Sequence, residues 1–362
     1  MVRELVIGLK SLKQVKIEVV ASNDSPTSIM EEIDQVKVTK ISQDLKLFSQ
    51  PLSFSLIPNL FRRLKNQQIV HLHTPNPLWE LVLFFLLKKE QVWIITHHSD
   101  IVNQKFLAPL VILFQRLLYS RVDAFVIPTP NHLNYSRTLK PFKDKCHLIP
   151  FAFRFEAIHS FKPNESQLRE IRNKHKNFAI FIGRLVPYKG VNILIEAMKQ
   201  IDQNYHLVII GDGPEKERLM ELTRTNNLDK QIQFLGKVPE IELYHYLYAS
   251  EFLVLPSLNQ SENFGIVQLE AFAMKKAVIV SNLKSGASSL VNHEVNGLLV
   301  EPHNVSDLTQ KMSLLFSNSA KAKEMGERAH ERLARDYSFQ AMISDHMKLY
   351  EKLLEHKRKG ET

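Results

Sequence analysis

The sequence predicts an α/β protein of two doubly wound, Rossmann-like domains, and three observations carry that prediction. Short β-branched apolar runs alternate with longer amphipathic stretches, the pattern of parallel sheets covered by helices. The runs fall into two groups, at 17–21, 69–73, 92–96, 124–128 and 146–150, then at 179–182, 206–211, 232–235, 252–256, 277–281 and 297–300. At 362 residues, 44% hydrophobic and 23% charged, the chain is long and apolar enough to bury two cores.

The stretch 150–163 has no clear period and carries proline at both ends, which sets the boundary near residue 155. The predicted domains are 1–155 and 156–335, followed by 336–362 as a terminal helix read as crossing back to the first domain. From 306 to 356 the chain reads as successive helices, with Leu308, Met312 and Leu315 on one face. The beginning is unusual: Val2, Leu5, Val6, Leu9 and Leu12 recur at helical spacing, so the chain opens in a helix. A doubly wound domain ordinarily opens with a central strand and a glycine-rich turn. The expectation is therefore an N-terminal domain lacking its first strand, since Gly8 inside the periodic run does not replace that turn.

The single cysteine, Cys146, excludes an internal disulfide framework and suits a reducing compartment. No run reaches the roughly 18 to 20 apolar residues of a membrane-spanning helix, and the nearest, 81–87, ends at Lys88 and Lys89. Arg3, Glu4, Lys10 and Lys13 interrupt the apolar core that a signal peptide needs, so the expected location is cytoplasmic. Residues 1–150 hold 19 Lys and Arg against 12 Asp and Glu, most of the formal excess of +9. Such a face suits anionic headgroups or phosphorylated ligands, and a solvated surface accounts for it equally. The segment 105–121 admits two readings, a helix packed into the core, which its wide apolar face favours, or one lying on a membrane. No motif supports nucleic-acid binding.

The chemistry concentrates in PSLNQSENFGIVQLEAFAM, residues 256–274. After a strand, a loop carries Glu262, Asn263, Phe264 and Gly265, and a helix is expected from Ile266, aiming N–H groups at the loop as a diphosphate requires. Glu262 in the loop and Glu270 about a turn and a half along the helix would meet one ligand at different depths, carboxylates being strong acceptors for vicinal hydroxyls, although on spacing alone a Glu262 that caps the helix and a solvated Glu270 account for the pair better. FIGRLVPYKG, residues 181–190, places Gly183, Arg184 and Lys189 after another strand, two cations suited to a diphosphate leaving group. VIIGDGP, residues 208–214, is not a dinucleotide fingerprint, because Lys216 stands at the third glycine's place. HLHTP (71–75) and THHSD (96–100) set His73, His98 and Asp100 at the C-terminal ends of strands, with His97 pointing elsewhere. Their spacing is no zinc signature.

Together these segments resemble retaining glycosyltransferase family 4, the group 1 glycosyltransferases. Glu262 and Glu270 match its Glu-x7-Glu signature, with the Phe-Gly pair and a following Glu-Ala in place, and 183–190 matches its donor-phosphate loop. The resemblance implies the GT-B fold, two Rossmann-like domains facing a cleft, with acceptor bound by the N-terminal domain and donor by the C-terminal one. It implies that Glu262 contacts the donor sugar and Glu270 the ribose, with Gly183, Arg184, Lys189, Asn263, Phe264, Gly265 and Ile266 completing the donor site. His98 is expected near the transferred sugar as a catalytic residue beside Glu262, and His73 and Asp100 on the acceptor side. The implied reaction moves a sugar from a nucleoside diphosphate sugar to a hydroxyl with retention, in polysaccharide or glycolipid synthesis and with mannose-like donors, using no metal or further cofactor. The implied partners are that donor, a glycan or lipid-linked acceptor, and the inner face of the membrane as a peripheral contact. The family pattern is broken by Lys275 and Lys276 in place of a Gly-x-Pro turn, by Ser285, Gly286 and Ser289 in place of Gly-Gly and Glu, and by Ala152 and Arg154 at the boundary. A second reading stays open, a non-catalytic or truncated protein of this fold acting as a binding partner.

Overall fold

The computed structural model describes residues 1–12, 15–23, 25–47, 50–53, 55–98, 100, 108–152, 158 and 161–360. The boundary near 155, Arg154 and residues 105–107 of the amphipathic segment lie outside the described residues. The chain forms two compact units, Met1–Phe153 with Tyr337–Thr362, and Arg154–Asp336.

The first unit holds β1 (Glu18–Ser22), β2 (Ile29–Ile33), β3 (Val36–Ile41), β4 (Leu45–Leu47), β5 (Gln50–Leu52), β6 (Ile69–Thr74), β7 (Val92–His97), β8 (Ala124–Ile127) and β9 (Cys146–Leu148). Strands β6-β7-β8-β9 make a parallel sheet in that order, β1-β3-β2 a separate sheet, and β4-β5 an antiparallel pair. Within the second sheet β1 runs parallel to β3 and β2 antiparallel to it. Strands β2 to β5 are absent from the sequence reading. The β2–β3 hairpin turns on Asp34 and Gln35, both at positive φ (50° and 61°), a turn that usually advertises itself with glycine. Strand β2 (IMEEI) is also largely exposed, so it lacks an apolar signature.

Side chains alternate across the parallel sheet and feed two cores. Trp93, Ile95, Phe125 and Ile127 point to one, shared with helices Leu56–Leu64, Pro77–Leu86 and Ala108–Ser120. Val92, Ile94, Ala124 and Val126 point to the other, closed by helices Val2–Ser11 and Phe339–Lys359. Each fully buried Val, Ile or Phe side chain among them stabilises the fold by roughly 1.5–3 kcal/mol. Gly8 lies where these two terminal helices cross: a Cβ there would fall 2.2 Å from Ile343 Cδ1. It serves helix packing. Helix Ala108–Ser120 buries Gln115, Leu118 and Tyr119 and exposes Leu113, Phe114 and Leu117, so it divides between the two readings of that segment.

The second unit holds β10 (Phe178–Ile182), β11 (His206–Ile210), β12 (Ile232–Gly236), β13 (Phe252–Leu255), β14 (Ala277–Ser281) and β15 (Gly297–Val300). They form one parallel sheet in the order β12-β11-β10-β13-β14-β15. Strand order reverses between β10 and β13, and in open α/β sheets ligands bind outside the carboxyl ends of strands at this switch point. The loops leaving β10 and β13 carry Gly183 to Lys189 and Ser257 to Gly265.

Candidate active site

Two loops meet at the switch point. After β10, a short 3-10 turn Pro187–Lys189 ends at Gly190, whose left-handed φ of 69° starts helix Val191–Met198. A Cβ on Gly190 would lie 2.0 Å from the Pro256 carbonyl oxygen, so only glycine allows this approach. The Leu258 N–H donates to the Tyr188 carbonyl at 2.7 Å, locking the loops together.

This contact delivers Lys189 to Glu262. Lys189 Nζ donates to Glu262 Oε2 at 2.6 Å, and Ser257 Oγ donates to the same oxygen at 2.7 Å. Glu262 is 5% exposed. A buried carboxylate needs such partners, because desolvating an unpaired charge is costly. Gly183 closes the group: a Cβ there would lie 3.7 Å from Lys189 Cε. Arg184 is exposed and makes no side-chain hydrogen bond or ion pair with the described residues, which leaves its guanidinium available to an anion.

Gly265 stands at φ 66°, and a Cβ there would lie 3.6 Å from Glu262 Oε1 and 2.7 Å from Gln268 Nε2. Gln268 is fully buried and donates to the Phe264 and Ala287 carbonyls, at 3.2 and 3.1 Å, pinning the loop. Phe264 is buried, Asn263 half-buried and Ile266 exposed. The helix begins later than the sequence reading expects: it spans Val267–Ala273, so Phe264 to Ile266 precede it and Glu270 sits in its first turn. Hydrogen bonds from Gln268 N–H to Gly265 O and Leu269 N–H to Ile266 O hold this entry tight. Glu270 is half-buried, and desolvation, then the Glu240 charge, push its pKa up to about 7.

The departures from the family pattern have local explanations. Lys275 occupies the left-handed region at φ 58°, the conformation that a turn glycine adopts readily. Lys276 turns inward and donates to the Ser250 carbonyl at 2.7 Å, and its burial lowers its pKa to about 8. Ser285 precedes a short helix, Gly286–Ser289, in which Ser288 donates to the Leu283 carbonyl.

In the first unit, His73 Nδ1 and His98 Nε2 lie 3.0 Å apart, so one ring donates to the other. His71 stacks on His73 and is held by Tyr350 at 2.6 Å and Thr96 at 2.7 Å. Burial, reinforced by neighbouring histidines and the amino terminus, lowers the pKa of His73 to about 3 and that of His98 to about 4. Both rings are neutral at physiological pH. Asp100 faces the protein: it accepts from His97 at 3.1 Å, Ser136 Oγ at 2.6 Å and the Arg137 N–H at 2.8 Å. Burial pushes its carboxyl upward, but these donors outweigh it and hold the pKa at about 2. His97 is thus one of three donors that hold Asp100. Burial raises the Cys146 thiol to about 11, which suits a packing role.

Sequence reasoning missed Ser257 and Gln268. Ser257 was legible only as the second residue after a strand end, and Gln268 only as a polar residue in an apolar helix, a buried polar position that demands partners.

Two α/β units, one of them with a six-stranded parallel sheet, match the GT-B class of glycosyltransferases, whose solved structures share this fold. The sequence models for glycosyl transferases group 1 and for glycosyltransferase family 4 match residues 164–332 and 1–153 respectively. The chain is 32% identical over 291 residues to the D-rhamnosyltransferase WbpZ of Pseudomonas aeruginosa, covering 80% of this chain and 74% of that protein. It is 28% identical over 316 residues to O-antigen chain mannosyltransferase C of Escherichia coli, covering 87% and 83%. A sucrose-phosphate synthase structure from Thermosynechococcus elongatus shares the fold at TM-score 0.78 and 21% identity, over 97% of this chain and 92% of that one. The chain belongs to the group 1 glycosyltransferases.

Proposed function

We propose that this glycosyltransferase takes its sugar from a nucleoside diphosphate sugar bound by residues 154–336 and passes it, with retention, to an acceptor hydroxyl bound by the N-terminal unit. The observation that carries the reading is the Lys189–Glu262–Ser257 group at the switch point, beside the unpaired Arg184. When the anomeric C–O bond to the diphosphate breaks, negative charge gathers on the leaving group, and Arg184 and Lys189 stabilise it. Glu262, held by two donors, keeps a carboxylate oxygen for sugar hydroxyls, and Glu270 serves the ribose. Asn263, Phe264, Gly265 and Ile266 shape the loop around them. His98, neutral and oriented by His73, is the N-terminal unit's contribution near the transferred sugar. Asp100 acts on the acceptor side through the loop it fixes.

The similar proteins from Pseudomonas and Escherichia are named for D-rhamnosyl and mannosyl transfer, and D-rhamnose is 6-deoxymannose. Manno-configured donors in O-antigen or other cell-surface polysaccharide synthesis are therefore the first to test. Incubating the purified chain with a panel of nucleoside diphosphate sugars and lipid-linked glycan acceptors, and reading the product's anomeric configuration by NMR, tests the proposal. An axial donor giving an axial product supports it; an inverted product contradicts the mechanism.

No described helix is long and apolar enough to cross a membrane. We assign peripheral membrane contact to the face formed by helices Leu56–Leu64, Pro77–Leu86 and Ala108–Ser120. Phe61 (68% exposed), Phe85 (73%), Leu113 (65%) and Leu117 (59%) project there among exposed Arg62, Lys88, Lys89 and Arg116. Apolar ridges among cations suit an anionic bilayer surface. Sedimentation with phosphatidylglycerol vesicles, and its loss in Phe85→Glu/Leu117→Glu, is the expected result.

A further inference from the structure

Helix Val267–Ala273 buries Gln268, Leu269, Ala271 and Phe272, and of these Gln268 alone is polar. Its amide is occupied at one end and empty at the other. Nε2 donates to the carbonyls of Phe264 and Ala287, which only the NH2 end of an amide can meet, so the orientation of the group is fixed by its partners. Oε1 has no hydrogen-bond partner among the described residues. An orphaned buried acceptor costs stability, a cost that a leucine of similar size would not carry. What the amide contributes therefore lies in the two carbonyls that it holds.

Those carbonyls belong to different segments. Phe264 lies in the loop after β13 that carries Glu262, and Ala287 lies in the short helix Gly286–Ser289, where Ser285, Gly286 and Ser289 depart from the family pattern. Arg332 grips the far end of that helix: its guanidinium donates to the Ser289 carbonyl at 2.9 Å and to Asn292 Oδ1 at 2.7 Å. Helix Ser319–Asp336, which carries Arg332, thus braces the Glu262 loop through two side chains.

Holding the Phe264 carbonyl also aims an N–H group. The Phe264–Gly265 peptide is trans, so its carbonyl and the Gly265 N–H point in opposite directions within one plane. With the carbonyl turned in to Gln268, the N–H is turned away from it, and it donates to no acceptor among the described residues. A Cβ on Gly265 would lie 3.6 Å from Glu262 Oε1, so this residue stands against the Glu262 carboxylate.

We propose that Gln268 is a positioning residue for the donor: it holds the Phe264–Gly265 peptide so that the Gly265 N–H meets the second phosphate of a nucleoside diphosphate, and it ties this loop to 286–289 as one piece. The inference rests on the donor reading above and adds to it the residue that aims the loop. A backbone N–H carries no net charge, so its effect on a phosphate oxygen depends on its direction being set in advance. Freed from Gln268, the peptide plane can turn and the donor is lost.

The test uses the full chain and Gln268→Met, a swap of similar volume that removes both N–H donors and buries no charge; Gln268→Leu is the second variant. Calorimetric titration compares UDP, GDP and dTDP with UMP, GMP and dTMP. The variants should bind the diphosphate that the wild type prefers at least about 10-fold more weakly, and the matching monophosphate as tightly as the wild type does. In hydrogen exchange without ligand, peptides covering 264–270 and 286–292 should both exchange at least about 10-fold faster in the variants, while β13 and β14 stay unchanged. Equal diphosphate binding by wild type and variants, or equal loss for mono- and diphosphate, overturns the proposal, and so does faster exchange in only one segment or in neither. A folded wild type that binds no diphosphate overturns the donor reading and this inference with it, whereas a wild type that binds leaves only Gln268 in question.

Discussion

Lys189 and Glu262, 73 residues apart in sequence, meet at 2.6 Å because Gly190 lets the loop after β10 lie against Pro256. Both side chains are largely buried, 13% and 6% exposed. Breaking such a pair leaves an uncompensated charge and costs about 3 kcal/mol. Glu262→Ala and Lys189→Ala should each lower the urea midpoint and reduce sugar transfer by at least about 100-fold. Glu262→Gln/Lys189→Met, which buries no charge, should recover much of the stability but none of the transfer. Recovery of both would mean that the pair is structural alone.

Gly190→Ala tests the close approach itself. At φ 69° an L residue is strained by about 1–2 kcal/mol, and here its Cβ also meets a carbonyl oxygen. Gly360, at φ 71° with nothing within 4 Å, supplies the control, strain without a clash. Thermal unfolding should show Gly190→Ala several-fold more damaging than Gly360→Ala.

The histidines make the first unit acid-sensitive. With folded pKa values lowered to about 3 for His73 and about 4 for His98, the unfolded chain binds more protons between those values and 6.5. Stability is complete above 6.5 and falls as pH drops below it. Both tryptophans, Trp79 and Trp93, belong to this unit, so their fluorescence during urea unfolding at pH 7.5 and pH 5 reads it directly. The midpoint should be lower at pH 5.

Glu270 acts in the opposite sense on the second unit. Its folded pKa, raised to about 7, means that the native state holds the proton more tightly than the unfolded one. That contribution is present below about 4.5 and lost as pH rises through 7. Glu270→Gln should therefore be more stable than the wild type at pH 8 and equal to it at pH 4.5, by hydrogen exchange across β13 and β14.

Much of this molecule was legible in the sequence, and the exceptions are instructive. The inner strands of both parallel sheets announce themselves because, buried on two faces, they are nearly continuous in apolar residues, as VWIITH and FAIFI show. Strand β2 did not, because it is largely exposed, carries two glutamates in five residues and turns on Asp34 and Gln35. The order of Gly183, Arg184, Lys189, Glu262 and Glu270 along the chain could be read directly. Their geometry could not: that Lys189 meets Glu262, or that Ser136 and the Arg137 N–H hold Asp100, depends on long-range packing. The helix start shifted past Ile266 because Gly265 holds the chain in a left-handed turn before it.

The central claim is that residues 154–336 hold a nucleoside diphosphate. Calorimetric titration with UDP, GDP and dTDP, of the wild type, Arg184→Ala and Lys189→Ala, tests it most directly. The account predicts saturable binding of at least one nucleotide by the wild type and at least about 10-fold weaker binding by both variants, about 1.4 kcal/mol. No binding by the folded wild type, or binding that neither substitution weakens, would contradict it.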